Sequence, residues 1–290
     1  MKKITQPKIH FGHLRAVAKL ILLVIVFALG VIAFLISERI KDENKRAEIV
    51  RRCTAMARRV VGIRVKVIGR PVEDNPAIYI ANHLSYLDIP VLGSVLSASF
   101  ISRADVGSWP VIGWFAKHQR TIFTSRKKGS ALNEAKIIRE RLEAGDRLLM
   151  FPEGTSGEGL RTLPFKSTFL SVAAPIVKNG VETQITVQPV TLVHTEMGGL
   201  PVSRYQRAYY AWFGDMEFAP HFWQALQMPG FTLEVRFHAP TTMAEMGDRK
   251  ALCRYCEEAI SRGLAEGLNG RTLPLTTETA TSTDTEIVPA

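Results

Sequence analysis

Ala77-Ile78-Tyr79-Ile80-Ala81-Asn82-His83-Leu84-Ser85-Tyr86-Leu87-Asp88 reads as a strand that runs into a loop and then into a helix. The first five residues are apolar and strand-favouring. Ser85 is a good helix N-cap, and Asp88 follows three residues later, as in a capping box. Within the same stretch His83 precedes Asp88 by five positions. Histidine is the side chain best suited to take a proton near neutral pH. A carboxylate on one ring nitrogen fixes the tautomer and stabilises the imidazolium. On a continuous helix a separation of five turns the two side chains about 500° apart. They meet only if His83 lies in the loop and Asp88 just inside the helix. Two readings stay open on these residues alone: Asp88 caps and His83 packs, or the pair is a general base with its orienter.

Working outward, strands and helices alternate. Strand patterns cover 64–68, 77–81, 99–102, 121–124, 147–151 and 185–193, with 207–213 and 231–237 as further candidates. Ser130 to Ala144 is a helix pattern with Ser130 as its cap and Gly145 at its end; 168–178, 222–227 and 243–265 also read as helices. The alternation predicts an α/β fold, a single domain with a central, mostly parallel or mixed sheet flanked by helices. At 290 residues the chain is long enough for one good-sized domain.

Ahead of that domain, Leu20 to Ile36 is an unbroken apolar run, extended by Ala16, Val17 and Ala18 beyond Lys19. It is long enough to cross a hydrocarbon core of about 30 Å, and Lys19 is placed to snorkel to the interface. Basic residues flank both sides, so they do not fix an orientation. Charges follow at once with no small-x-small cleavage site, which argues against a removed signal peptide. Next comes a basic amphipathic pattern with Ile49, Cys53, Met56, Ala57 and Val60 on one side and Arg51, Arg52, Arg58 and Arg59 on the other. The expected organisation is a membrane anchor at 1–40, a basic helix at 41–62, the α/β domain at 63–269 and a disordered tail at 270–290.

The net charge of +10 calls for an anionic partner. No zinc-finger spacing, aromatic RNA-binding block or DNA-reading helix is present, so a membrane surface outranks nucleic acid. Cys53, Cys253 and Cys256 make no disulfide framework, and Cys253 and Cys256 read as helical neighbours in the core.

Three further blocks bear on chemistry. Thr121 to Arg126 is a strand ending in an arginine, whose planar fork grips phosphate or carboxylate. Phe151-Pro152-Glu153-Gly154-Thr155 puts a carboxylate in a strand-end turn, with Arg161 and Lys166 as nearby cations. Val187-Gln188-Pro189-Val190 interrupts a strand with proline, which marks a bulge or an edge. Gly154-Thr155-Ser156-Gly157-Glu158 misses the nucleophile-elbow pattern at its last position, so a serine nucleophile is disfavoured.

In this order the four blocks resemble the glycerolipid acyltransferase family, which includes 1-acylglycerol-3-phosphate acyltransferases. The resemblance spans about residues 60 to 240. It implies that His83 removes a proton from an acceptor hydroxyl and that Asp88 orients it. The hydroxyl would attack the thioester of an acyl carrier protein or coenzyme A directly, without metal or cofactor. Asn82 belongs to the histidine block. Arg126, Glu153, Gly154 and Thr155, with Arg161 and Lys166, would hold the polar head of a lyso-lipid acceptor. Backbone N–H groups near Gly154 or Pro189 would steady the oxyanion. The sequence departs from the usual pattern at Arg120 and Ser125, and where a basic residue commonly follows the third block it has Ser156-Gly157-Glu158-Gly159-Leu160-Arg161-Thr162-Leu163-Pro164-Phe165-Lys166-Ser167. That extension looks like the lyso-ornithine lipid acyltransferase branch, with lysophosphatidate as the alternative acceptor. The implied place is the bacterial inner membrane, with the catalytic domain facing the cytoplasm. The apolar residues of 92–100 and 109–115 are candidates for an acyl groove. Rival readings are an acyltransferase for lipopolysaccharide precursors and a non-catalytic tether that binds anionic lipid.

Overall fold

The computed structural model describes residues 10–37, 43–108, 112–118, 120–125, 131–178, 180–270 and 286–288. Helices α1 (His10–Ser37) and α2 (Glu43–Val61) lead into strands β1 (Ile63–Ile68) and β2 (Ala77–Ala81). Then come α3 (Asp88–Val95), β3 (Ser99–Arg103), α4 (Ile112–His118), β4 (Ile122–Thr124), α5 (Ala131–Glu143) and β5 (Arg147–Met150). The rest comprises β6 (Ile176–Lys178), β7 (Val181–Thr183), β8 (Thr186–Met197), β9 (Leu200–Pro201), α6 (Phe218–Gln227), β10 (Phe231–Phe237), α7 (Met243–Met246), α8 (Arg249–Leu268) and β11 (Glu286–Val288).

The main sheet runs β11-β1-β10-β8-β2-β5-β3-β4, with β9 on β8, while β6 and β7 form a separate hairpin. Its pairing is parallel except at β11–β1, β10–β8 and β8–β9. This is the mixed, mostly parallel sheet that the alternation of strands and helices predicts. β2 shows why the sheet is covered on both faces. Its five residues are all buried, and alternate ones serve opposite cores. Tyr79 and Ala81 pack with residues of α1, α2, α3 and α6; Ile78 and Ile80 pack with α5, α8 and the short 3-10 turn Ser167–Ala173.

Several local expectations give way to packing and turn chemistry. The pattern over 243–265 is two helices. Gly247, at φ +90°, ends α7, and the Asp248 side chain accepts from the backbone N–H groups of Lys250 and Ala251 to start α8. Residues 168–178 hold the 3-10 turn and β6 in place of one helix. Residues 207–213 are not a strand; the 3-10 turn Tyr205–Tyr209 leads into an irregular segment. Helix α3 begins at Asp88, and Ser85 sits in the turn ahead of it, its Oγ accepting from Leu87 N at 3.3 Å. Within the tail expected to be disordered, Glu286–Val288 pair antiparallel with β1. Cys253 and Cys256 are buried on α8, and burial pushes the Cys256 thiol up to about 12.

Helix α1 lies along the domain rather than projecting from it. Lys19 Nζ donates to Val61 O at 2.6 Å and to Met228 O at 2.9 Å, which caps the carbonyl ends of α2 and α6. The lysine therefore faces into the protein and does not snorkel outward. Arg15 Nη1 donates to Gln227 O at 3.1 Å, and at the far end the Phe34 ring meets His118 of α4 edge-on at 4.3 Å. Gly12–Ile36 is long and apolar enough to cross a membrane, and its outer face leaves Leu14, Ile21, Val24, Ile25, Ile32 and Ile36 exposed.

Candidate active site

The site forms where β2 and β5 end side by side. The two strands are parallel, with Ile80 opposite Met150, so the loop after Ala81 and the turn after Met150 emerge at the same carboxyl edge. Asn82 keeps the first loop tied to the sheet. Its Nδ2 donates to Leu192 O at 3.0 Å, and its Oδ1 accepts from Leu192 N at 2.8 Å.

One residue later, His83 Nδ1 lies 2.8 Å from Asp88 Oδ2. The turn at 85–88 makes this contact possible, since it carries Asp88 back over the loop. The same Oδ2 accepts from Leu84 N at 2.7 Å and Ser85 N at 3.0 Å. The carboxylate that closes the turn thus also holds the ring, while the cap position of α3 falls to Leu87, with no side-chain cap. Asp88 is fully buried, whereas the His83 side chain keeps 21 % of its exposure. With Nδ1 on the carboxylate, neutral His83 carries its lone pair on Nε2, which has no hydrogen-bond partner among the described residues. Phe151 stacks flat on the imidazole, with ring centroids 4.1 Å apart.

Glu153 lies beneath the loop rather than on the rim. It is 4 % exposed, and its carboxyl accepts from the backbone N–H of His83 at 3.4 Å and from that of Leu163. Burial pushes the carboxyl up to about 8, against the pull of those two N–H groups. The extension beyond Thr155 folds over this carboxyl. Gly157 N donates to His83 O at 2.8 Å, and Lys166 N donates to Pro152 O at 3.1 Å. Gly154, at φ +70°, leaves the space into which Lys166 Nζ reaches; a Cβ there would sit 2.9 Å from that nitrogen. The exposed polar side chains of this block are therefore Thr155, Arg161 and Lys166.

Pro189 is buried in the middle of β8, opposite Ile80. Its missing N–H falls where the β10 ladder has stopped at Phe237, while its carbonyl accepts from His238 N at 3.0 Å. It shapes the sheet behind the loop and makes none of the contacts to His83 described above. Arg126 lies outside the described residues. Leu92, Leu96 and Phe100 are core residues, as is their share of the expected acyl groove; residues 109–111 lie outside the described residues.

One site contact has no counterpart in the sequence blocks. Tyr210 donates its hydroxyl to Asp88 Oδ1 at 2.9 Å, and Trp212 N donates to Leu84 O at 2.9 Å. Together with Ser156, whose Oγ donates to Trp212 O, this segment straps the two loops together.

The arrangement can take a proton at His83 Nε2 and hold the resulting imidazolium against a buried carboxylate. The family described as Acyltransferase matches residues 64–193. The chain is 37 % identical over 217 residues to a lyso-ornithine lipid O-acyltransferase of Brucella abortus (strain 2308), covering 74 % of this chain and 81 % of that one. It is 31 % identical over 231 residues to a 1-acyl-sn-glycerol-3-phosphate acyltransferase of Neisseria gonorrhoeae, covering 78 % and 83 %. Among solved structures, the 1-acyl-sn-glycerophosphate acyltransferase PlsC of Thermotoga maritima shares the fold, with a TM-score of 0.67 at 22 % identity over 90 % of this chain and 97 % of that chain.

Proposed function

The chain belongs to the acyltransferase family, and from that premise we propose that His83 and Asp88 transfer a fatty acyl group from a thioester to the free hydroxyl of lyso-ornithine lipid. That it is a lysolipid acyltransferase follows from its relatives. The observation that carries the mechanism is the 2.8 Å contact from His83 Nδ1 to a buried Asp88, with Nε2 left to the acceptor. Nε2 takes the hydroxyl proton as the oxygen attacks the thioester carbon. The tetrahedral intermediate collapses, the C–S bond breaks, and the imidazolium returns its proton to the departing thiolate. No acyl-enzyme forms.

The acceptor is argued from the third block. Where a phosphate-binding cation commonly follows Thr155, this chain has a buried Ser156 whose hydroxyl is spent on Trp212 O. A head group with less negative charge than a phosphate monoester suits that exchange. The exposed Arg161 and Lys166 favour a second reading, lysophosphatidate as acceptor. The donor is acyl carrier protein or coenzyme A.

The apolar outer face of α1 supports a place in the bacterial inner membrane with the domain on the cytoplasmic side, where thioester donors are made. Charge supports it too. Residues 1–62 hold 13 of the 37 Lys and Arg but four of the 27 Asp and Glu, so almost all of the net positive charge sits in the N-terminal part of the sequence.

The test is acyl transfer by purified protein, with lyso-ornithine lipid and lysophosphatidate offered in turn, each with both donors. Faster turnover of lyso-ornithine lipid is expected. Preference for lysophosphatidate would move the acceptor to the second reading. In either assay His83→Ala should lower the rate by roughly 100-fold or more while the circular dichroism spectrum is unchanged; retained activity would overturn the mechanism.

A further inference from the structure

We propose that Tyr210 is a positioning residue for acyl transfer, its hydroxyl fixing the Asp88 carboxylate against which the His83 base is aligned. The inference rests on the reading of His83 as base.

The two oxygens of Asp88 are held differently. Oδ2 takes three donors: His83 Nδ1, Leu84 N and Ser85 N. All three come from three consecutive residues, so they tether the carboxylate to its own loop and to nothing else. Oδ1 takes one hydrogen bond among the described residues, from the Tyr210 hydroxyl at 2.9 Å. That bond crosses 122 residues of sequence and ties the dyad to the body of the fold.

Tyr210 is built to stay in place. It is fully buried, and its ring packs against Phe231 and His194 with centroids 5.5 and 5.3 Å away. Its backbone closes the 3-10 turn through Tyr210 N to Arg207 O at 3.0 Å. Two residues on, Trp212 N holds Leu84 O, so the backbone of the base loop and the carboxylate it presents are gripped by one segment. Burial and the Asp88 charge push the phenol well above its ordinary range, so the hydroxyl remains a donor throughout the working pH range.

A carboxylate anchored through one oxygen can still turn about its last bond. A donor on the second oxygen fixes its plane, and with it the imidazole. An unfilled Oδ1 in this buried setting would be costly as well as mobile. Losing the phenol would leave more negative charge on the carboxylate, which would then hold an imidazolium more tightly. The base would be freed of its proton only at higher pH.

The test compares Tyr210→Phe with wild type in membranes, measuring kcat and the acceptor KM across pH with whichever lyso-lipid the wild type uses. A fall in kcat of roughly ten- to hundredfold, the size of one hydrogen bond to a charged group, is expected. The acceptor KM should stay unchanged, and the acid limb of the pH profile should move to higher pH. Because the effect acts through Asp88, adding Tyr210→Phe to Asp88→Asn should cost nothing more than Asp88→Asn alone. If the Phe variant does not fold, 3,5-difluorotyrosine at position 210, a stronger donor of nearly the same shape, should move the acid limb to lower pH. An unchanged profile, or additive losses in the double variant, overturns the inference. Wild type without acyl transfer, or an active His83→Ala, would instead sink the underlying reading.

Discussion

The Phe151 ring lies on the His83 imidazole at 4.1 Å, with the two planes within 17° of parallel. Asp88 fixes the ring at one nitrogen, and Phe151 fixes its plane. Aromatic pairs of this kind are worth about 0.5–1.5 kcal/mol beyond their burial. Phe151→Leu keeps apolar bulk and loses the stacking. Its kcat should fall roughly two- to tenfold, measured at saturating acceptor; an unchanged kcat would show that Asp88 alone suffices to hold the imidazole.

Glu153 makes stability depend on pH in a defined direction. Its folded-state carboxyl titrates at about 8 against an ordinary 4.5. Such a raised group contributes fully below 4.5, and its contribution is lost as pH rises through 8. The slope from one such group is at most about 1.4 kcal/mol per pH unit. Glu153→Gln removes the titration and keeps an acceptor for His83 N and Leu163 N. The decline in unfolding free energy over that window should flatten in the variant, measured by denaturant titration at several pH values. An identical slope would mean that Glu153 is charged in the fold.

Lys166 reaches over the backbone at Gly154, beside the base loop yet exposed. On the proposed function, a cation so placed holds the acceptor head and stays out of bond making. Lys166→Ala should raise the acceptor KM roughly five- to twentyfold with little change in kcat, the signature of lost uniform binding. A fall in kcat at constant KM would place the ammonium at the reacting centre.

On α1, Ile25 and Ile32 are about half exposed on the outward apolar face. Replacing both with Glu should move the protein from sedimented vesicles to the supernatant, since each charge is costly among acyl chains. The melting temperature should hardly change, because neither residue is in the core. Continued sedimentation would show that the surface charge of α2 is enough for attachment.

Much of this was legible in the sequence because it is local. The strand at 77–81, the loop that follows and the return of Asp88 onto His83 lie within twelve residues, where the turn residues fix the path. The mixed, mostly parallel character of the sheet follows from the alternation of strands and helices, whereas its strand order, with β10 and β8 between β1 and β2, does not. The Tyr210 contact was not legible. Arg207-Ala208-Tyr209-Tyr210-Ala211-Trp212-Phe213 is rich in aromatic residues and reads as a strand, yet tertiary packing folds it into a 3-10 turn and a strap. Nothing in its composition tells that one phenol reaches a carboxylate 122 positions away. Glu153 was legible as part of the site but not as a buried group, since its cover is the extension, which folds back through Gly157 N on His83 O and again through Lys166 N on Pro152 O. Gly247 was the missed break in the C-terminal helices, because helical periodicity continues on both sides of it.

The paired hydrogen bonds of Asn82 with Leu192 have a consequence for how far the base can stray. A primary amide presents a donor and an acceptor side by side, as a peptide group does, so for β8 the ladder continues one rung past Ala81 although the main chain has already left it. Asn82 is a rung for its neighbour and a loop for its own strand. The histidine therefore hangs on a leash a single residue long, fixed to a strand in the middle of the sheet. Aspartate at this position could not counterfeit the peptide, for it has no N–H to offer Leu192 O, and the leash would lengthen without any group at the reacting centre having changed.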